Sequence, residues 1–538
     1  MTEHLRNTWR DIIHDKNIML SSRMLTAILY NMIQPNLEGR KLMSERNFVT
    51  YEEFGAVGDG IHDDMPAIVA CHEYANANGL DVVGTDGANY YIGSRDLTAV
   101  IKTNVRWGTA KFTIDDRELE NIYSSCFRVA SDALRFEPKI KTLQSGQKHI
   151  DFPHEENLYV RVFDESTKRY IRRGANQNNG VTSSDCFTVD REGNVTGDIN
   201  WDYASITKAY AFSTEDAPIT IEGGVFETIA NIAPSFYNYH GRNIQVSRSH
   251  TTLQGITHLV TGEEDHGAPY RGFLSISECC DITIKDCLLT AHKTYFTESK
   301  IPGVPVPMGS YDINVDAVID IRLLNIKQTT DITDSKYWGL MGSNFAKNFY
   351  LENCEISRFD AHMGVTNCTI KGCTFGHMGV NLIGFGEALI ENTTFRCHRM
   401  INFRPDYGSF FHGKLTLRNC VWKPTVRPSE KAAAKNGPIK MCLIAAENDG
   451  FHDFGYVCGM PKTIEIDGVE IDDAHCADEL CYVIFSNYNS RRWQEEQPYP
   501  YSTPENVTVK RLCSKKGSSI IPFAIPEQYP HIQDLMLS

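Results

Sequence analysis

The residues best able to do chemistry lie between positions 258 and 407. Histidines recur there in related settings: ITHLVTG with His258, TAHKTYF with His292, FDAHMGV with His362, GHMGVNLIG with His377 and CHRMINFRPDYG with His398. Five of the eighteen histidines thus read as one position of a repeat. Strand alternation assigns Met363, Val365, Met378, Val380, Leu382, Ile401 and Phe403 to the inward side. The histidines then project outward with Asp360, Asn381, Asn402 and Arg404, lining a polar groove.

Such a column admits three readings. A solvated histidine ladder would be structural. Imidazoles stacked about 4.8 Å apart could share an ion, but no cysteine or carboxylate spacing of a metal site accompanies them. Neither metal nor cofactor is therefore expected. A sugar-binding or catalytic cleft accounts for the polar groups together with flat aromatic faces nearby: Trp338, Phe359, Tyr407, Phe410 and Phe411.

Glycoside hydrolysis needs two carboxylates, about 5 Å apart for retention or roughly 6.5–9.5 Å for inversion. Asp360 shares a rung with His362, and Asp406 follows about two rungs later, on the order of 10 Å away before lateral offset. Asp360, Asp406, His362 and His377 are the expected catalytic set. Arg404 would hold Asp406 ionised or clamp an acidic sugar. His398, Asn381, Asn402, Tyr407, Asp316 and Trp338 would bind substrate, with Asp316 and Asp320 a reserve acid pair. The same groups admit elimination from a uronic acid, with histidine or Tyr407 as base and Arg404 or Asn381 neutralising the carboxylate. The acidic chain weighs against a uronate polymer, so hydrolysis ranks first.

What must position these groups is a repeat. Short strands recur from about residue 206: ITIKDCLL, NFYLENCEIS, CTIKGCTF, ALIENTTF, LTLRNCVW and NVTVKRLC. With Asn353, Gly372, Asn392 and Asn419 taken as equivalent, the spacings are 19, 20 and 27 residues. A period near twenty built of short strands is a solenoid coil. Cys287, Cys354, Cys373 and Cys420 share one column, with Thr393 replacing cysteine in one rung. They read as an internal stack of small side chains rather than metal ligands, being too linear for tetrahedral zinc.

The opening segment, YEEFGAVGDGIHDDMPAIVA at 51–70, has a glycine-rich loop followed by a helix from Met65 to Ala77 that begins at Pro66. Asp63 and Asp64 are placed to cap it. The strands LDVVG and NYYIG follow. This FGAxGDGxxDDxxAI pattern resembles the entry segment of the pectate-lyase-like β-helix superfamily, which includes polygalacturonase-type hydrolases and phage tailspike depolymerases. The resemblance implies an all-β fold, a right-handed parallel β-helix, and carbohydrate substrates. It does not carry over catalytic residues. Polygalacturonase-type enzymes show Asn-x-Asp, an Asp pair one coil later, then Gly-His-Gly. Here Asn314-Val315-Asp316 is followed by YWGLMGSN, and Gly376-His377-Met378-Gly379 is only a partial echo.

Four regions follow: a helical cap or adapter at 1–48, the opening of the β-helix at 49–139, a charged, hairpin-rich insertion at 140–205, and the main β-helix with a capping tail at 206–538. At 538 residues the chain exceeds a usual single domain, but stacked repeats extend one core indefinitely. Its net charge of −15 and lack of a basic stripe disfavour nucleic acid. No apolar run reaches membrane-spanning length. The N-terminal stretch DIIHDKNIMLSSRMLTAILYNMI is interrupted by charge and does not read as a secretory signal. Sixteen cysteines in that setting point to cytoplasmic synthesis with mostly free thiols. An intracellular enzyme fits this, as does a phage tail protein released by lysis.

The reading that results is a β-helix enzyme hydrolysing a polysaccharide, in the manner of a phage tailspike, as a homotrimer or a monomer. A lyase of the same fold, or a tail protein that grips glycan without cutting it, are the alternatives.

Overall fold

The computed structural model describes residues 46–537 apart from 153, 172–176, 235–237, 265–266, 299–300, 405–409, 435–436, 447–457, 488–500, 533–534 and 536. The expected cap at 1–48 therefore falls almost wholly outside the described residues, as do Asp406 and Tyr407.

The chain winds as a right-handed parallel β-helix, and the twenty-nine coil strands among the described residues pair in parallel, coil on coil, into three sheets. One coil shows the plan. Leu274–Ser277 lies on the third sheet, Cys280–Lys285 on the first and Leu288–Leu289 on the second, before Ile313–Asp316 returns to the third directly above Leu274–Ser277. The corner from first to second sheet demands a left-handed residue. Asn325, Asn353, Asn392 and Asn419 supply it at φ 50–56°, and Gly372 at φ 61°. Asparagine tolerates this region better than other non-glycine residues.

The cysteine column lies immediately inside that corner. Cys287, Cys354, Cys373, Thr393 and Cys420 are all at most 2% exposed, within the apolar core. The fifteen cysteines whose side chains are described are free thiols.

The helix Met65–Asn78 packs against the first strands of all three sheets and closes that end of the solenoid. Asp64 occupies its N-cap position without capping it. Its carboxylate turns back to accept from the Val57 and Gly58 amides at 2.6 and 3.2 Å, holding the glycine-rich loop shut. Asp63 accepts from the Met65 amide instead, at 3.2 Å. At the far end Tyr529 is buried against Phe523 and Phe485, with ring centroids 5.0 and 5.5 Å away.

The coil is interrupted between the strands Phe127–Ala130 and Ile219–Ile229, a wider excursion than the 140–205 window. Leu158–Arg169, Val181–Val189, Val195–Thr196 and Lys208–Ser213 form a four-stranded antiparallel sheet there. One face carries its own core of Val160, Val162, Phe187 and Ala211. The other docks on the corner between the third and first sheets: Tyr159, Cys186 and Phe212 meet Cys280, Ala317 and Ile319. Beneath this contact Lys347 and Asp185, both at most 2% exposed in their side chains, form an ion pair 2.5 Å long.

Candidate functional site

The five histidines do not form a column. His258 lies in register with Phe226 and faces the core, its ring stacked on Phe273 at 3.8 Å. His292 is 1% exposed, with Nδ1 2.9 Å from Glu263. His377 and His398 sit at the corner leading into the third sheet, where His398 Nδ1 is 3.2 Å from the His377 carbonyl and His398 is buried. Burial pulls the His377 and His398 imidazoles down to about 4 and about 2. His362 alone stands on the third sheet, half-buried, its Nδ1 3.0 Å from Asn344 Oδ1. The connection from second to third sheet changes length from coil to coil, and bulges interrupt Ser343/Asn344 and Ile356/Arg358. Equal offsets from the strand motif therefore reach unequal places.

The acid and amide rows do align. Asp360, Asn381 and Asn402 are direct register partners on the outer face of the third sheet, continuing a row from Ser275, Asn314 and Gly342. Of the residues assigned inward, Val365, Val380, Leu382, Ile401 and Phe403 are buried, whereas Met363 and Met378 are half-exposed. Asn402 donates to Asn381 Oδ1 at 2.9 Å, and Asn381 donates to the Met378 carbonyl at 3.2 Å. Asn381 is thus spent as a buried rung.

Asp360 is fully covered. Arg358 donates to it at 2.5 Å, and Arg404 and the Tyr311 hydroxyl also donate. Burial works against its charge, but the two guanidiniums prevail and hold its carboxyl at about 2. Asp360 has no exposed surface through which to meet a substrate, and it holds Arg358 and Arg404 in place. Arg358 lies 4.7 Å above the Trp338 ring, and the indole Nε1 is buried without a hydrogen-bond partner. Glycine is needed where these rings lie close. A Cβ on Gly309 would come within 2.0 Å of Trp338, and one on Gly342 within 2.6 Å of Tyr311.

The second outer row holds Ser277, Asp316 and Asn344. Asp316 Oδ1 is buried without a partner, and burial raises its pKa. Arg161 of the inserted sheet acts against this rise, and Glu278 adds to it. Arg161 is itself buried, one nitrogen bonded to Ser184 at 3.0 Å while Nε and Nη1 have no partner. Glu278, on the coil before Asp316, accepts from Arg135 at 2.5 Å and from the Tyr210 hydroxyl. Two carboxylates thus sit on neighbouring coils, one driven toward its protonated form, the other ion-paired.

Sequence reasoning named Asp316 only as a binding and reserve residue, and Asp320 lies on the first sheet, outside this row. It missed Glu278, Arg358 and Tyr311. Aligning LSISE with INVDA would have placed Glu278 beside Asp316. Nothing local marks Arg161, because its approach depends on how the insertion docks. Among the described residues no three His, Cys, Asp or Glu side chains converge on a metal-sized site, and no helix is long and apolar enough to cross a membrane.

The architecture is that of a right-handed parallel β-helix. It is similar to the capsule KL64-specific depolymerase of Klebsiella phage P510, at 21% identity over 420 residues covering 71% of this chain. The chain spans 38% of that relative's length. Among solved structures it resembles the tailspike protein gp49 of Pseudomonas phage LKA1, with a TM-score of 0.51 and 13% identity over 86% of this chain and 81% of that one. The tailspike gp61 of Pseudomonas phage phi297 aligns with a TM-score of 0.41 and 10% identity, over 82% of this chain and 75% of that one. No protein-family model matches the chain.

Proposed function

We propose that this protein is a polysaccharide depolymerase acting on a bacterial capsular glycan, with the outer face of the third sheet as its cleft. The observation that carries this reading is the contrast between Asp316 and Glu278. Burial without a partner favours the neutral acid at Asp316, whereas Arg135 and Tyr210 bind the Glu278 carboxylate. Two carboxyl groups with opposed environments are what acid-assisted glycoside cleavage requires. Asp316 gives its proton to the leaving oxygen, and Glu278 activates water or attacks the sugar. Asn314, Asn344 and His362 offer hydroxyl partners along the two rows. The likeness to a capsule-specific depolymerase supports the substrate class.

Elimination is the second reading, favoured by His362, which stands on the third sheet beside Asn344 and acts with Arg358 and Arg404 on the charge of Asp360. Incubating the full chain with a panel of purified capsular polysaccharides separates the two. New reducing ends without absorbance near 235 nm mark hydrolysis, and that absorbance marks a lyase. Binding with no product from any glycan would sink both and leave an adhesive tail protein. The tailspike reading also carries a virion location and a homotrimer, which sedimentation of the purified chain tests.

A further inference from the structure

A second recess lies away from the third-sheet row, where the insertion meets the flank of the coil. It is a cleft of about 320 Å³ lined by Lys168, Arg169, Tyr170, Trp201, Phe410 and His412. The long strand Leu158–Arg169 brings Arg169 to its end, where the guanidinium lies 3.6 Å over the Trp201 ring and Nε donates to Ser183 at 3.0 Å. Trp201 is fixed in turn by Phe385, edge-on at 4.7 Å, and Tyr170 by Phe345 and Phe410 at 5.6 and 6.0 Å.

Among the described residues several buried cations have acids in contact: Arg242 has Asp116, Lys347 has Asp185, and Arg358 and Arg404 share Asp360. Arg169 lines an open cleft instead, as the buried Arg161 does not. The acids that reach Arg169 through space, Asp164 and Asp185, are spent elsewhere, Asp164 on Ser166 and Thr167 and Asp185 on Lys347. A half-buried guanidinium that lines an aromatic cleft, with its Nε bonded to Ser183, suits a planar carboxylate. Aromatic walls suit the apolar face of a sugar ring.

We propose that this cleft binds a carboxylate-bearing sugar unit of the glycan chain, with Arg169 pairing the carboxylate and the Tyr170–Phe410 wall covering the ring. This rests on the glycan reading above and narrows it to an acidic polymer, against the acidic balance of the chain as a whole.

The test titrates the full chain with a mannuronate hexasaccharide and with its carboxyl-reduced counterpart, followed by calorimetry. The acidic form binds about tenfold or more tightly, the weight of one charge-assisted contact. Arg169→Gln abolishes that preference. Should that variant not fold, Arg169→Lys keeps the charge, loses the fork and still weakens the acidic ligand selectively. Equal affinity of the wild type for both sugars, binding of neither, or a folded Arg169→Gln with an unchanged preference overturns the proposal. Asp316→Asn keeps the preference while losing cleavage. A preference without cleavage of any capsular glycan would therefore fail the depolymerase reading and leave this cleft standing, and cleavage without preference would do the reverse.

Discussion

Arg404 reaches back across two coils to Asp360, and the contact is made below the surface rather than in the open cleft. Asp360 has no exposure at all, and Arg358 and Arg404 are 4% and 10% exposed in their side chains. A buried carboxylate that holds two guanidiniums is a structural node. Replacing it leaves two buried cations without a counterion. Asp360→Asn is expected to cost about 3–5 kcal/mol of stability, seen as a lower urea midpoint. An Asp360→Asn protein of unchanged stability that had lost activity would instead restore Asp360 to the chemistry.

Asp316 and Glu278 carry the opposite expectation. Asp316→Asn and Glu278→Gln each lower turnover about 10²–10⁴-fold, with the urea midpoint and glycan affinity close to wild type. Reducing-end release under substrate saturation measures this. Loss of binding in parallel with turnover would make the pair a binding feature.

The pH profile separates the roles further. Asp316 must be protonated to act as the acid, so activity falls as pH rises past its raised pKa. Arg161 favours the anion and so lowers that pKa. Arg161→Met is therefore expected to move the alkaline limb of kcat/KM to higher pH. A limb that stays in place would remove Asp316 from the acid role.

How much of this was legible beforehand follows from what each residue depends on. The Asn353–Gly372–Asn392–Asn419 register and the cysteine stack were readable because one corner, repeated at fixed distance from its strand, imposes the same residue each time. Asp360, Asn381 and Asn402 were readable for the same reason, since they lie within continuous strands. His258 and His292 were not. One took the core position that Phe226 fills one coil earlier, and the other lies in a long connection whose path no period determines. The pairing of Asp360 with Arg358 and Tyr311, and the approach of Arg161 to Asp316, arise between segments far apart in the chain. A one-dimensional pattern does not contain them.

The docking of the insertion depends on the Lys347–Asp185 pair. Asp185→Ala strands a buried ammonium and is expected to cost about 3–5 kcal/mol, whereas Lys347→Met with Asp185→Leu lies near neutral. Limited proteolysis within 131–218 reads this directly, with faster cleavage in the single variant than in the double. Equal protection of wild type and Asp185→Ala would show that the apolar contact at Tyr159 and Phe212 suffices.

His292 ties stability to alkaline pH. Its imidazolium lies between Glu263 at 2.9 Å and Asp312 at 3.4 Å. Burial opposes the charge, but the two carboxylates overcome it and raise the imidazole to about 10. A base whose folded pKa exceeds its unfolded value, near 6.5, stabilises fully below that value and loses the contribution as pH rises toward 10. His377 and His398 run the other way. Their depressed values mean that the neutral rings stabilise above about 6.5, and that stability is lost as pH falls toward about 4. The melting temperature should therefore peak near neutrality and decline on both sides. His292→Gln should flatten the alkaline decline and leave the acid one intact, since only the former draws on a charge held between Glu263 and Asp312. An alkaline slope that survives in His292→Gln would assign that linkage to another group.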